Sequence, residues 1–170
     1  MSRRVTLTLT TMALLFLGVA VPAGDAVGQQ KTLKEQLVGT WTYVSVDTVS
    51  PDGSRVPIYG PNPQGVASFD GSHYMLVTMR AGQPKFASDN RMKGTPDEYK
   101  SVVQGSIAHF GGYTVNEADK TITFHIVGST FPNWNGVDQK RPFTITGDVL
   151  KWTTPASSGG SAEVVLKRSK

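Results

Sequence analysis

From about residue 40 onward, almost every apolar segment alternates polar and apolar side chains with period two and is bounded by Gly, Pro, Asn or Asp. That period belongs to half-buried strands, not to helices, and the bounding residues are those that turn a chain sharply. The alternation predicts strands over Thr40–Val49, Ser54–Tyr59, Gly65–Phe69, His73–Arg80, Gly112–Asn116, Thr121–Val127, Arg141–Thr146, Val149–Thr154 and Ala162–Lys167. Pro51-Asp52-Gly53, Asp70-Gly71, Asn116-Glu117-Ala118-Asp119 and Gly147-Asp148 separate strands near enough to be hairpin neighbours, so most connections are antiparallel. Many short antiparallel strands in one small domain predict an all-β, up-and-down barrel.

Two helical signals interrupt the pattern. Thr32 followed by Glu35 reads as a capping box, with Leu33 and Leu37 four apart, and predicts a short helix closing one end. Thr95-Pro96-Asp97-Glu98 combines a cap, a proline at the first helical position and a second capping box. Tyr99, Val102, Val103, Ile107 and Phe110 then recur at helical spacing, so this helix is expected to run to Gly111-Gly112 and either to plug or flank the barrel or to form a mobile lid over a ligand cavity. His109, near its predicted end, is expected to be a cation favoured by the helix C-terminus.

Residues 1–28 read as a secretory signal peptide. Arg3 and Arg4 precede the apolar run Leu14–Val21, which leads into small residues, and cleavage is expected near Ala26. The run is too short for a membrane span, so no membrane insertion is expected after cleavage, and the protein is expected to be secreted or periplasmic. The rest, residues 31–170, is one domain. The chain holds 17 Lys+Arg and 13 Asp+Glu, and loss of Arg3, Arg4 and Asp25 leaves a net charge of +3 on scattered residues, which argues against nucleic-acid binding. With no Cys there is no disulfide framework, thiolate metal site or cysteine nucleophile. The three His lie on separate segments without the spacing of a metal pair, and no cofactor or metal is expected.

The stretch Leu37-Val38-Gly39-Thr40-Trp41 resembles the Gly-x-Trp opening of lipocalins. Further along stand Phe86-Ala87-Ser88, Gly94–Tyr99, Phe110-Gly111-Gly112-Tyr113, His125–Ser129 and Phe131-Pro132-Asn133-Trp134, followed by Gln139, Arg141, Phe143 and Gly147-Asp148-x-Leu150. In that order, over about residues 37 to 168, the set resembles the bacterial and fungal lipocalin-like domain family. The resemblance implies a closed or nearly closed antiparallel barrel whose interior holds a small hydrophobic ligand. It also implies that Trp41 is structural, packed at the closed end beneath Lys167 or Arg168 in a cation–π contact.

Candidate ligand-contacting residues follow from alternation. Ile122, Phe124 and Ile126 share one face of their strand, and Thr121, Thr123, His125 and Val127 share the other. An inward His125 face puts a titratable imidazole in the cavity, whereas an outward one leaves His125 on the surface. Arg141 shares a face with Phe143 and Ile145, so its guanidinium ends a buried stripe and needs a partner, for which Asp138 is a candidate. Met75 and Met79, with His73 and Val77, form either an adaptable pocket wall or plain core. Asn133 and Trp134, in a loop over the barrel mouth, and Tyr113 complete the candidate set.

The function these features support is an exported, monomeric protein that binds a small, largely apolar molecule. One alternative is a cofactor-independent isomerase or cyclase with His125 as acid/base and Arg141 as anion stabiliser. Another is an envelope interaction module with a filled barrel that recognises a partner through Phe131–Gly136.

Overall fold

A computed structural model describes residues 30–157 and 159–170, so the signal peptide expected over 1–28 lies outside the described residues. The elements run α1 (Leu33–Leu37), β1 (Gly39–Val49), β2 (Arg55–Pro57), β3 (Gln64–Phe69), β4 (His73–Met79), α2 (Pro96–Gln104), β5 (Ser106–Asn116), β6 (Thr121–Ser129), a single 3-10 turn (Pro132–Trp134), β7 (Asp138–Thr146), β8 (Val149–Pro155) and β9 (Ser161–Arg168). Each strand from β3 to β9 pairs antiparallel with the next, and β1 pairs with both β3 and β9, so eight strands close on themselves. Closure leaves no open edge among the eight. β2 is a three-residue strand added outside the ring on the end of β1, and it stops at Pro57, which has no N–H to donate.

The hairpins expected at Asp70-Gly71, Asn116–Asp119 and Gly147-Asp148 join β3 to β4, β5 to β6 and β7 to β8. In the first, the Asp70 carboxylate accepts from the backbone N–H groups of Ser72 (2.8 Å) and His73 (2.6 Å), which holds its pKa down at about 2.

One element boundary differs from the sequence reading. The helix starting at Pro96 ends at Gln104, and Ser106–Asn116 is a strand, so Ile107, His109 and Phe110 belong to β5. The physical reason is a mixture of periods: Tyr99, Val102 and Val103 fit a helix, but Ile107, His109, Gly111 and Tyr113 alternate and point inward. Pairing with β4 and β6 fixes the segment as strand, and His109 is a buried interior residue instead of a helix-terminal cation.

Both capping boxes form as the sequence implies, with Thr32 accepting from the Glu35 N–H and Thr95 from the Glu98 N–H. Glu117, in the β5–β6 turn, also accepts from the N–H groups of Leu33 (2.8 Å) and Lys34 (3.0 Å), fixing α1 across the closed end. Beneath α1, Trp41 is fully buried and donates its indole N–H to the Leu37 carbonyl at 2.8 Å. The cation stacked on it is Arg168; Lys167, one residue earlier, points to solvent.

Above this end the barrel is solid. Phe69, Tyr113, Tyr74, Phe124 and Trp152 meet mostly edge-to-face, with Phe69 and Tyr74 stacked, and their centroids are 4.5 to 6.4 Å apart. Each such pair adds about 0.5–1.5 kcal/mol to the gain from burial. The half of the barrel farther from α1 leaves room inside.

Candidate functional site

In that half lies a buried cavity of about 40 Å³. Its wall includes Tyr43, Thr78, His109, Trp134, Arg141 and Trp152, from β1, β4, β5, the 3-10 turn, β7 and β8. Tyr59, Ile107 and Ser157 also line a second, wider space of about 540 Å³ at the mouth. That chamber is bounded by Val56, Pro57 and Ile58 around β2, Val103 at the end of α2, and Phe131. The two spaces form a funnel: a wide mouth of mixed lining, where Thr48, Gln104, Ser106 and Thr130 stand beside the apolar side chains, narrows to a small interior cavity.

Register sets which side chains reach the interior. In β7, Gln139, Arg141 and Phe143 point inward, and Arg141 is 2% exposed. Its guanidinium lies 4.4 Å from the Phe124 ring centroid and 6.0 Å from that of Trp152, and its Nη2 donates to Gln139 Oε1. Burial pushes its pKa down to about 10, so it stays protonated at neutral pH. The one buried carboxylate among the described residues, Asp47, lies opposite Glu163 on the outer face of the barrel, 3.5 Å from Arg55, and does not share the interior with it. Asp138 is not its partner, because an odd separation along a strand puts positions 138 and 141 on opposite faces.

His109 is also buried, and its Nδ1 shares a 2.8 Å hydrogen bond with the Tyr74 hydroxyl. Burial, reinforced by the nearby Arg141 charge, pushes its pKa down to about 3. The imidazole is therefore neutral across the physiological range. Burial raises the Tyr43 and Tyr74 phenols, which stay protonated. Among the described residues Arg141 is thus the one charged group of the interior.

The structure separates the candidates drawn from the sequence. Arg141 and Trp134 reach the cavity wall, with Trp134 folded back edge-on against His109 at 5.6 Å. Asn133 beside it is exposed. Tyr113 is buried against Phe69 in the solid half and lines neither space.

His125 lies on the outer face, because Ile122, Phe124 and Ile126 take the interior. Its two ring nitrogens meet Asp138 at 2.8 Å and Thr114 at 3.3 Å across neighbouring strands. His125 and Arg141 therefore do not converge, and the acid/base pairing that the isomerase reading requires is absent from the interior. Met75 and Met79 also face outward, since Tyr74, Leu76 and Thr78 are the buried residues of β4. Counting from the methionines selected the wrong face; an aromatic and an aliphatic residue separated by two, with Thr78 next, marked the other.

Tyr43, Thr78 and Trp152 were not singled out from the sequence, Gln139 entered only with the family resemblance, and His109 was expected at a helix end. The signal for Gln139 was its position two before Arg141, and for Trp152 its place between Leu150 and Thr154, all buried. Nothing local marked His109, which read as helical.

A family described as a lipocalin-like domain matches residues 38–166. The chain is similar to the 4'-hydroxy-3'-methoxypropiophenone carrier protein ppsC of Aspergillus oryzae, at 29% identity over 82 residues, covering 45% of this chain and 74% of that protein. Among solved structures it is similar to a redesigned β barrel, with a TM-score of 0.42 and 17% identity over 83% of this chain and 98% of that one. It is also similar to a de novo designed fluorescence-activating β barrel, with a TM-score of 0.39 and 14% identity over 79% of this chain and 95% of that one.

Proposed function

The chain belongs to the lipocalin-like domain family, and from that premise we propose that it is an exported, monomeric carrier that takes a small, largely apolar molecule through the mouth of its barrel. The observation that carries this reading is the funnel. A chamber of about 540 Å³, apolar over the larger part of its lining, shares Tyr59, Ile107 and Ser157 with the smaller cavity beyond it. Small-molecule sites are concave, mostly apolar and supplied with a few polar groups that fix orientation. A relative named as a carrier of an aryl ketone supports the same class of ligand. Export rests on Arg3, Arg4 and the apolar run Leu14–Val21.

The test is titration of the mature chain with N-phenyl-1-naphthylamine, a neutral probe that fluoresces in apolar surroundings. Saturable binding of one probe per chain, abolished by Ile107→Trp at the neck of the funnel, is the expected result. A folded chain that binds no probe would replace this reading with that of a surface interaction module. N-terminal sequencing of protein from fractionated producing cells tests export, with a start near residue 27 expected outside the cytoplasm and an intact Met1 overturning it.

A further inference from the structure

Three buried polar atoms on the cavity wall have no hydrogen-bond partner: Arg141 Nε, Trp152 Nε1 and Thr78 Oγ1. They come from β7, β8 and β4, and each side chain belongs to a residue no more than 3% exposed. Guanidinium and indole N–H groups only donate, and a threonine hydroxyl can donate. Three residues that line one small space therefore each keep a buried polar atom without a partner.

Charge points the same way. Taking a guanidinium out of water costs several kcal/mol. The rings of Phe124 and Trp152 and the single Gln139 carbonyl compensate only in part, since a ring face carries no net charge and one neutral acceptor does not replace a hydration shell. His109 is neutral and the Tyr43 and Tyr74 phenols are protonated, so none of them balances the cation. The missing complement is an anionic acceptor.

Size divides such a ligand in two. A cavity of about 40 Å³ has room for a head group of about three heavy atoms, whereas the mouth takes a bulky apolar body. Resting on the carrier reading above, we infer that the ligand is an amphiphilic carboxylic acid, its carboxylate seated against Arg141 and its apolar part left in the mouth chamber. A carboxylate matches the guanidinium fork with two parallel hydrogen bonds, one of them from the free Nε. Trp152 and Thr78 supply the remaining donors.

The experiment compares 4-phenylbutanoate with 4-phenylbutanamide, equal in shape and different in charge, as competitors for bound N-phenyl-1-naphthylamine at neutral pH. The acid is expected to bind at least about tenfold more tightly than the amide, the size of one charge-assisted hydrogen bond. In Arg141→Met, with competition measured against that variant's own probe affinity, the ratio falls to near one. Trp152→Phe keeps a ring beside the guanidinium and removes one donor, so it lowers the ratio several-fold and serves if Arg141→Met does not fold. Equal competition by acid and amide in the unmodified protein, or an unchanged ratio in the folded variants, overturns the inference while leaving the carrier reading intact. Failure of the probe itself to bind overturns both.

Discussion

The guanidinium of Arg168 lies 4.1 Å above the ring of Trp41 and donates at the same time to the carbonyls of Val38 (3.0 Å) and Gln36 (2.5 Å). One side chain of the last strand thus covers the first strand's tryptophan and satisfies carbonyls at the end of α1. The closed end of the barrel is held by this contact, which joins residues at opposite ends of the domain.

Truncation there should be expensive. Trp41→Ala opens a cavity at a fully buried position and is expected to destabilise the fold by about 3–5 kcal/mol. Arg168→Met should cost about 1–2 kcal/mol, from the lost cation–π contact and the carbonyls left without a donor. Lys167→Met, at an exposed position, should change little. Chemical denaturation of the three variants checks the order; equal effects at 167 and 168 would refute the assignment of the cation.

His109 makes stability depend on pH. Its folded pKa, about 3, lies below the unfolded value of 6.5, so below pH 6.5 the unfolded chain binds a proton that the folded chain refuses. Stability is lost as pH falls from about 6.5 towards 3, with a slope of up to about 1.4 kcal/mol per pH unit. His109→Phe keeps an aromatic ring and removes the titration. The melting temperature of the unmodified protein should fall more steeply between pH 6.5 and 4.5 than that of the variant, and parallel curves would contradict a buried neutral imidazole.

Two adjacent glycines in β5 should differ sharply. A Cβ at Gly111 would lie 2.0 Å from the His125 carbonyl oxygen, at the bulge where β5 and β6 change register, whereas a Cβ at Gly112 meets nothing closer than 3.7 Å. Gly111→Ala is expected to cost about 1–3 kcal/mol or more through forced backbone movement, and Gly112→Ala well under 1 kcal/mol. Urea unfolding of both variants tests the difference.

If ligand enters the barrel, the outer face should not matter to it. His125→Ala breaks the contacts to Asp138 and Thr114 outside the barrel and should leave N-phenyl-1-naphthylamine affinity within about twofold. A tenfold loss would move the site to the outer surface.

Much of the architecture was legible because strand alternation and turn residues are local signals. The hairpins at Asp70-Gly71 and Gly147-Asp148 and both capping boxes could be read from neighbours in sequence, and the structural place of Trp41 followed from the family resemblance. The site was legible only in part. Arg141 was identified by the apolar stripe it ends, but its expected partner Asp138 sits on the other face and pairs with His125 instead. Met75 and Met79 misled because hydrophobicity says that a side chain prefers burial, not that the barrel has room for it on that face.

The sequence by itself determined the all-β class, the antiparallel order of hairpins and the two capped helices, since each follows from periodicity or from a few contiguous residues. Only the tertiary structure decided which face of each strand turns inward, that Ser106–Phe110 is strand instead of helix, and that Arg141 meets ring faces and an amide instead of a carboxylate. The physical reason is closure. Pairing β1 with β9 joins residues more than a hundred positions apart, and that one long-range constraint fixes inside and outside for every strand between them.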